Sequence, residues 1–289
     1  MKQLLVLSGK GGTGKTTLVS SFIELGGFKA FADCDVDAPN LYLISGQKGI
    51  SPIKSQYFGM DKVEIDSNKC IKCGLCKENC RFDAIEKTED KRYKVNHYNC
   101  EGCGVCLEFC PEKAIYSVKN QAGETEIFPG DYYLSTAKLK MGEGNSGLLV
   151  SKVKENLKKN DAPYGIVDGS PGIGCPVIAS ISGVDMVIVV TEPSLSGLSD
   201  LNRIVEMTGS FGIEPYIVIN KYDINIDKTN EIKEWCKDRN LQILGLIPFD
   251  GNCNNYINNS QPLVNSPSAA SEEIKKIHKK ALRILNELK

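Results

Sequence analysis

The chain opens on an apolar run, residues 4–7, that stops at a glycine-rich decapeptide, S-G-K-G-G-T-G-K-T-T, over residues 8–17. Beyond it Leu18, Val19, Phe22 and Ile23 recur at helical spacing. This pattern predicts a strand, a glycine loop and a helix. Residues 28–32 then read as a short buried strand. It ends in an acidic loop, Asp33-Cys34-Asp35-Val36-Asp37-Ala38-Pro39-Asn40, and a short helix is expected through Ile44. The same alternation governs the second half. Strands are predicted at 164–167, 186–190, 216–219 and 243–247, helices at 195–211 and 229–239, and a final helix at 271–288. Short, continuously apolar strands between helices predict an α/β domain with a mostly parallel sheet covered on both faces.

The middle of the chain breaks this rhythm. Residues 46–52 read as a linker, and 57–65 as an extended segment leading into a cysteine block at 70–110. That block repeats itself: C-x2-C-x2-C-x3-C begins at Cys70 and again 30 residues later at Cys100. A charged hairpin is expected at 84–95, and 114–118 mirrors 84–87. Residues 124–140 carry β-like stretches around a Pro129-Gly130 turn, and the glycine-rich stretch 142–147 opens a helix over 148–159. The block therefore reads as an inserted α+β domain, residues 59–119, interrupting a discontinuous α/β domain made of 1–58 and 120–289.

Composition narrows the chemistry. The 289 residues carry 35 basic and 36 acidic side chains, a net charge of -1. That balance offers no bulk attraction to nucleic acid or to an anionic membrane. No apolar run approaches the roughly 20 residues of a spanning helix. The first apolar run is needed as a strand, so no removable signal is expected there. Twelve cysteines without a secretory signal point to metal or redox chemistry in the cytoplasm rather than to disulfides.

The decapeptide fits G-x-x-x-x-G-K-[ST] through Gly9, Gly14, Lys15 and Thr16. Gly9, Gly11, Gly12 and Gly14 let backbone N–H groups converge. The start of the following helix, with Thr16 and Thr17, adds its unpaired donors to them. Lys15 brings positive charge to the outer phosphates of a nucleotide, and the Thr16 hydroxyl is a ligand for Mg²⁺. With Thr13 these residues form the expected nucleotide cradle.

A second lysine inside the loop, Lys10, makes it resemble the deviant P-loop of the MinD, ParA and nitrogenase iron protein superfamily. The resemblance implies an ATPase that works as a homodimer, with Lys10 reaching across to the partner's nucleotide. The bland alternative is a solvated loop lysine. The resemblance also gives roles to two acidic strand ends. Asp35, in D-x-D after the second strand, is implied to orient the attacking water, and Asp168, in D-G-S-P-G, to hold the Mg²⁺ shell. Lys10, Lys15, Asp35 and Asp168 are thus the candidate catalytic residues. Asp33 or Asp37 is alternatively a helix cap. Asn220, Pro248 and Asp250 match the family's adenine side. Asp223 gives N-K-x-D, which resembles a guanine reader, and the deviant P-loop favours ATP.

Each cysteine run resembles bacterial two-cluster ferredoxins, in which the fourth cysteine serves the other cluster. That implies one [4Fe–4S] cluster on Cys70, Cys73, Cys76 and Cys110, and a second on Cys100, Cys103, Cys106 and Cys80. Pro111 follows the pattern and Arg81 departs from it. Zinc is the alternative for C-x2-C pairs. Cys236 reads as core. Cys175 reads as a small buried residue at a helix start or, less simply, as part of a further metal centre. The amphipathic last helix either covers the sheet or lies on a membrane, with core packing favoured.

The leading expectation is an ATP-hydrolysing iron–sulfur protein whose dimer switch is coupled to electron transfer through two [4Fe–4S] clusters to a redox partner. An alternative is an ATPase that assembles or carries iron–sulfur or other metallocofactors for a partner protein. A third is a MinD-like positioning switch. None of these requires nucleic acid or a membrane.

Overall fold

The computed structural model describes residues 1–47 and 49–288. Lys48, inside the expected linker 46–52, lies outside the described residues. In chain order, β1 (Lys2–Leu7) leads through the glycine loop into α1 (Lys15–Leu25), then β2 (Ala30–Asp33), a 3-10 turn (Leu41–Leu43), β3 (Ile53–Phe58) and β4 (Lys62–Ile65). The cysteine block holds α2 (Leu75–Glu78), β5 (Ile85–Lys87), β6 (Tyr93–Val95), α3 (Val105–Glu108) and β7 (Ile115–Val118). There follow β8 (Gln121–Phe128), β9 (Tyr133–Leu139), α4 (Ser146–Leu157), β10 (Tyr164–Asp168), α5 (Cys175–Ile181), β11 (Met186–Thr191) and α6 (Leu195–Ser210). The chain closes with β12 (Tyr216–Asn220), α7 (Ile226–Asp238), β13 (Ile243–Ile247), α8 (Cys253–Asn258) and α9 (Ala269–Glu287).

The main sheet has the order β13-β12-β11-β1-β10-β2-β9-β8-β3. From β13 to β9 every pair is parallel. The last two pairings are antiparallel, because β8 returns from β9 by a hairpin and β3 pairs with β8. The expected mostly parallel, doubly covered α/β sheet is therefore present, with its antiparallel edge next to the cysteine block.

β1 runs through the middle and sends alternate residues to opposite cores. Leu4 and Val6 pack with Phe22, Phe31, Ile274 and Ile277 under α1 and α9. Leu5 and Leu7 pack with Val153, Leu157, Ile204 and Ile232 under α4 to α7. Ile274, Ile277, Ala281 and Leu285 of α9 are all buried, so the amphipathic last helix covers the sheet. His278 on the same face meets Phe22 edge-on at 5.0 Å and hydrogen-bonds the Gly26 carbonyl at 2.9 Å.

Of two short helices, α5 was expected only as a helix start at Cys175, and α8 was not legible in the sequence. Each runs only six or seven residues beside Gly, Pro or Asn, too short for a helical period to register. The expected helix before Ile44 is a single 3-10 turn.

The segment from Gly59 to Asn120 leaves and re-enters the sheet edge at one point, where the Gly59 N–H donates to the Asn120 carbonyl at 3.0 Å. Inside it β4 pairs with β7 and β5 with β6, both antiparallel. The 30-residue repeat is visible in the backbone. Lys72 and Gly102, Gly74 and Gly104, and Asp83 and Lys113 form matched pairs, all with positive φ. The Asp66 N–H donates to the Ala114 carbonyl as the Asn96 N–H donates to the Ala84 carbonyl, each at 2.7 Å.

Replacing Ile277 with Ala leaves a cavity between α9 and the sheet. The expected loss is about 2–5 kcal/mol of unfolding free energy in a urea titration. An unchanged midpoint, with vesicle binding lost instead, would mean that α9 serves a membrane.

Candidate functional site

In open parallel sheets, ligands bind beyond the carboxyl ends of the strands, where the strand order reverses. The loop after β1 lies at such a point, since β10 and β11 flank β1 on either side. Gly14 (φ +98) begins α1 without a side-chain cap, so the first-turn N–H groups stay open to an anion. A Cβ on Gly14 would sit 2.3 Å from the Asn220 amide nitrogen. That amide donates to the Thr13 carbonyl at 2.7 Å, and Lys221 Nζ donates to the Gly12 carbonyl at 3.1 Å. The end of β12 thus props the phosphate loop from the side.

Lys15 is buried and pairs with the Asp168 carboxylate at the end of β10. The other Asp168 oxygen, Oδ2, is buried and has no hydrogen-bond partner among the described residues. A buried anionic oxygen with open lone pairs suits a cation or its water shell, so the donor set fits Mg²⁺. Asp33 lies opposite Asp168 in the β2–β10 ladder. Its carboxylate accepts from the backbone N–H groups of Asp35 (3.1 Å), Asn40 (2.9 Å) and Leu41 (3.0 Å). Burial, then the nearby Asp168 charge, raises its pKa to about 7. Of the two capping candidates, Asp33 organises the acidic loop, whereas Asp37 is exposed. Asp35 is half-buried, and burial raises its pKa as well.

A cleft of about 890 Å³ gathers Lys10, residues 11–17, Asp35, Asn220, Pro248 and Asp250. That volume suits a nucleotide. Two predicted site residues do not line it. Gly9 packs against α6, where a Cβ would come 2.2 Å from the Asp200 Cβ. Asp168 is reached through Lys15. Asp223, the residue resembling a guanine reader, accepts from the Phe249 N–H at 2.7 Å and so ties down the 248–250 loop.

Sequence reasoning missed two features here. Helix α8 contributes Cys253, Asn254 and Ile257 to the cleft. Glu192, just beyond β11, receives Lys10 Nζ at 2.7 Å and Lys221 Nζ at 3.1 Å. Its position at a strand's carboxyl end was the available signal.

The eight cysteines of the block line two cavities. Cys70, Cys73, Cys76 and Cys110 line one, and Cys80, Cys100, Cys103 and Cys106 the other. The fourth cysteine of each run therefore sits with the other run's first three. The Cys80 and Cys110 sulfurs accept from the Ala84 and Ala114 N–H groups at 3.3 and 3.2 Å. Burial foremost, then neighbouring thiols, raises Cys106 to about 11. No group of three or more His, Cys, Asp or Glu converges on a single-ion position among the described residues. A cluster, being larger than one ion, holds its thiolates further apart.

The second cavity faces the α/β domain. Tyr98 packs on Gly142 and the Glu101 carboxylate on Gly144. Buried Lys62 donates to the His97 carbonyl at 2.7 Å and pairs with Glu143 at 2.9 Å. In α4, Gly147 abuts the Cys175 backbone, and the Gly172 N–H, between Asp168 and Cys175, donates to the Ser8 carbonyl at 3.1 Å. A continuous set of contacts thus runs from the second cysteine run to the phosphate loop. Cys175 starts α5 as expected but is exposed rather than buried, because it lies in the first turn on the loop side. Cys236 is buried. No helix is long and apolar enough to cross a membrane among the described residues.

Comparison with known proteins adds to this geometry. A family model described as a 4Fe-4S dicluster domain matches residues 63–116. The uncharacterized protein MJ0578 of Methanocaldococcus jannaschii is 35% identical over 282 residues, covering 96% of this chain and 95% of its own length. The iron-sulfur cluster carrier protein of Pyrococcus horikoshii is 23% identical over 269 residues, covering 86% of this chain and 74% of its own. In fold, the septum site-determining protein MinD of Pyrococcus horikoshii, solved with Mg-ADP, is similar with a TM-score of 0.59 at 18% identity. The match covers 97% of this chain and 95% of that one.

Gly14→Ala forces a side chain into a left-handed backbone and onto the Asn220 amide. It is expected to weaken nucleotide binding in calorimetry at least about tenfold, while the thermal midpoint shifts by only a few degrees. Unchanged affinity would remove this loop from the nucleotide site.

Proposed function

The chain belongs to the MinD/ParA/nitrogenase iron protein family of P-loop ATPases, which bind and hydrolyse ATP, and from that premise we propose that its switch serves metallocofactor assembly in a partner protein. In this reading residues 1–58 and 120–289 form the ATPase unit and 59–119 a dicluster ferredoxin unit. The observation that carries it is the run of contacts from the second cysteine cavity, through residues 142–147 and the 172–175 segment that follows Asp168, to the phosphate loop. The likeness to an iron-sulfur cluster carrier favours assembly as the task.

Each residue has a role in this proposal. Backbone N–H groups of residues 11–16 cradle the phosphates, and Lys15 exchanges Asp168 for their charge. Thr16 and Asp168 would hold Mg²⁺, which neutralises phosphate charge when bound. Asp35 orients the attacking water. Asn220, Pro248 and Asp250 border the base. Lys10 crosses to the second subunit of an ATP-dependent homodimer. Cys70, Cys73, Cys76 and Cys110 would hold one [4Fe–4S] cluster, and Cys80, Cys100, Cys103 and Cys106 the other. Bound clusters of this type exchange single electrons.

Electron delivery to the partner is the second reading. It is favoured by the completeness of the two four-thiol cavities, which suits resident clusters rather than cargo.

Protein loaded with labelled iron and mixed with an apo-acceptor separates the two. Assembly predicts that ATP accelerates transfer of label to the acceptor. Label that stays put, while ATP changes the rate of electron transfer to that acceptor, would replace assembly by electron delivery. The crossed ligand sets make a further prediction. Cys110→Ser should lower bound iron from about eight to about four atoms per chain, and additional loss of Cys70 should then cost nothing more. Additional loss of Cys80 should remove the rest. If Cys110 and Cys100 proved to share a cluster instead, the crossed assignment would fail.

A further inference from the structure

Lys10 does not point freely into solvent. Its Nζ lies 2.7 Å from Glu192 Oε1 and 3.1 Å from the Ser194 hydroxyl, at the start of α6. The other carboxylate oxygen, Oε2, receives Lys221 Nζ at 3.1 Å. One carboxylate therefore serves two lysines, one on each oxygen. Lys221 is fixed independently by the Gly12 carbonyl at 3.1 Å. Lys10 has no comparable second anchor beyond the neutral Ser194 hydroxyl among the described residues.

The arrangement has a chemical consequence. Glu192 is mostly buried, with 17% of its side chain exposed. A carboxylate there with no cation would be costly. Because Lys221 remains on the second oxygen, Lys10 can leave without stranding that charge. We infer that Glu192 is a positioning residue that holds Lys10 on its own subunit until the nucleotide of a second subunit competes for it, with Lys221 compensating Glu192 after release. This inference rests on the proposed role of Lys10 across an ATP-dependent dimer. It adds a residue that sets how much ATP the dimer requires.

The two lysines then have opposite effects through one carboxylate. Weakening Glu192 frees Lys10, whereas removing Lys221 leaves Lys10 as the sole cation on Glu192 and holds it harder. A residue that merely supported the loop would give one sign for both changes, since each would destabilise it.

The experiment measures the ATP concentration at half-maximal dimerisation by sedimentation, with Asp35→Asn present throughout to slow hydrolysis. Binding of ATP to the monomer is measured separately below the dimerisation range. Glu192→Gln is expected to lower the dimer midpoint at least about threefold, and Lys221→Met to raise it by a similar factor, each corrected for monomer affinity. Lys10→Ala should abolish dimerisation in every background. Thermal melts identify a variant that has lost its fold, and the remaining variant of the pair then decides by its sign. If the parent dimerises through Lys10 but neither midpoint shifts, or both shift the same way, the role of Glu192 is overturned and the dimer reading stands. If ATP gives no dimer, or Lys10→Ala leaves it intact, the dimer reading itself fails.

Discussion

The buried contact between Lys15 and Asp168 joins a helix start to a strand end at the point where the whole nucleotide end converges. It links the first turn of α1 to the end of β10, and so ties the phosphate loop to the segment that leads to α5. Two charges taken out of water are costly individually, and removing one partner of such a pair typically costs about 3–5 kcal/mol. The neighbourhood is arranged around that cost. Asp33 lies beside Asp168, and burial together with the Asp168 charge raises its pKa, which eases the repulsion between the two carboxyls. Its carboxylate still accepts three backbone N–H groups and so shapes the loop that carries Asp35. In the proposed reading phosphate oxygens would compete with Asp168 for Lys15, and Asp168 Oδ2 is buried with no hydrogen-bond partner among the described residues.

The second polar centre, Glu192 with its two lysines, sits on the opposite flank of the same loop. Together with Asn220 it braces the carbonyl side of the loop, leaving the N–H side for an anion. One flank of the loop is thus held by the Asn220 and Lys221 contacts to its carbonyls, and the other by the Lys15–Asp168 pair, for which a phosphate would compete. This division lets a rigid sheet present a responsive site.

Much of this was legible in the chain. The strands of the parallel sheet were readable because each is a short apolar run that must be buried on both faces. The phosphate loop was readable because its backbone geometry demands glycine, and Asp35 and Asp168 drew attention as carboxylates at or just beyond strand ends. The cysteine repeat was readable from spacing, and its crossed pairing reappears in which thiols share a cavity. Other features depend on tertiary contact and left little local trace. Glu192 is an ordinary acidic residue until β12 brings Lys221 beside it. Asp33 and Asp37 are equivalent in the sequence, and only the ladder to β10 makes one the organiser of the loop. Cys175 follows a glycine-rich stretch in a pattern that also suits burial, and the turn geometry leaves it outside.

The junction at Gly59 and Asn120 has a consequence for how such a chain could have arisen. β3 and β8 already pair up to Phe58 and Gln121, immediately outside that junction. A chain closed from Phe58 to Gln121 by a turn of about two residues would keep the hairpin and every strand of the main sheet. The cysteine segment is therefore a graft on a stem rather than a structural member of its host. Removing it would not require redesign of the sheet. Its surface can also diverge at a different pace from the nucleotide machinery, constrained among the described residues where Tyr98, Glu101, Lys62 and Asn120 rest on the loop before α4.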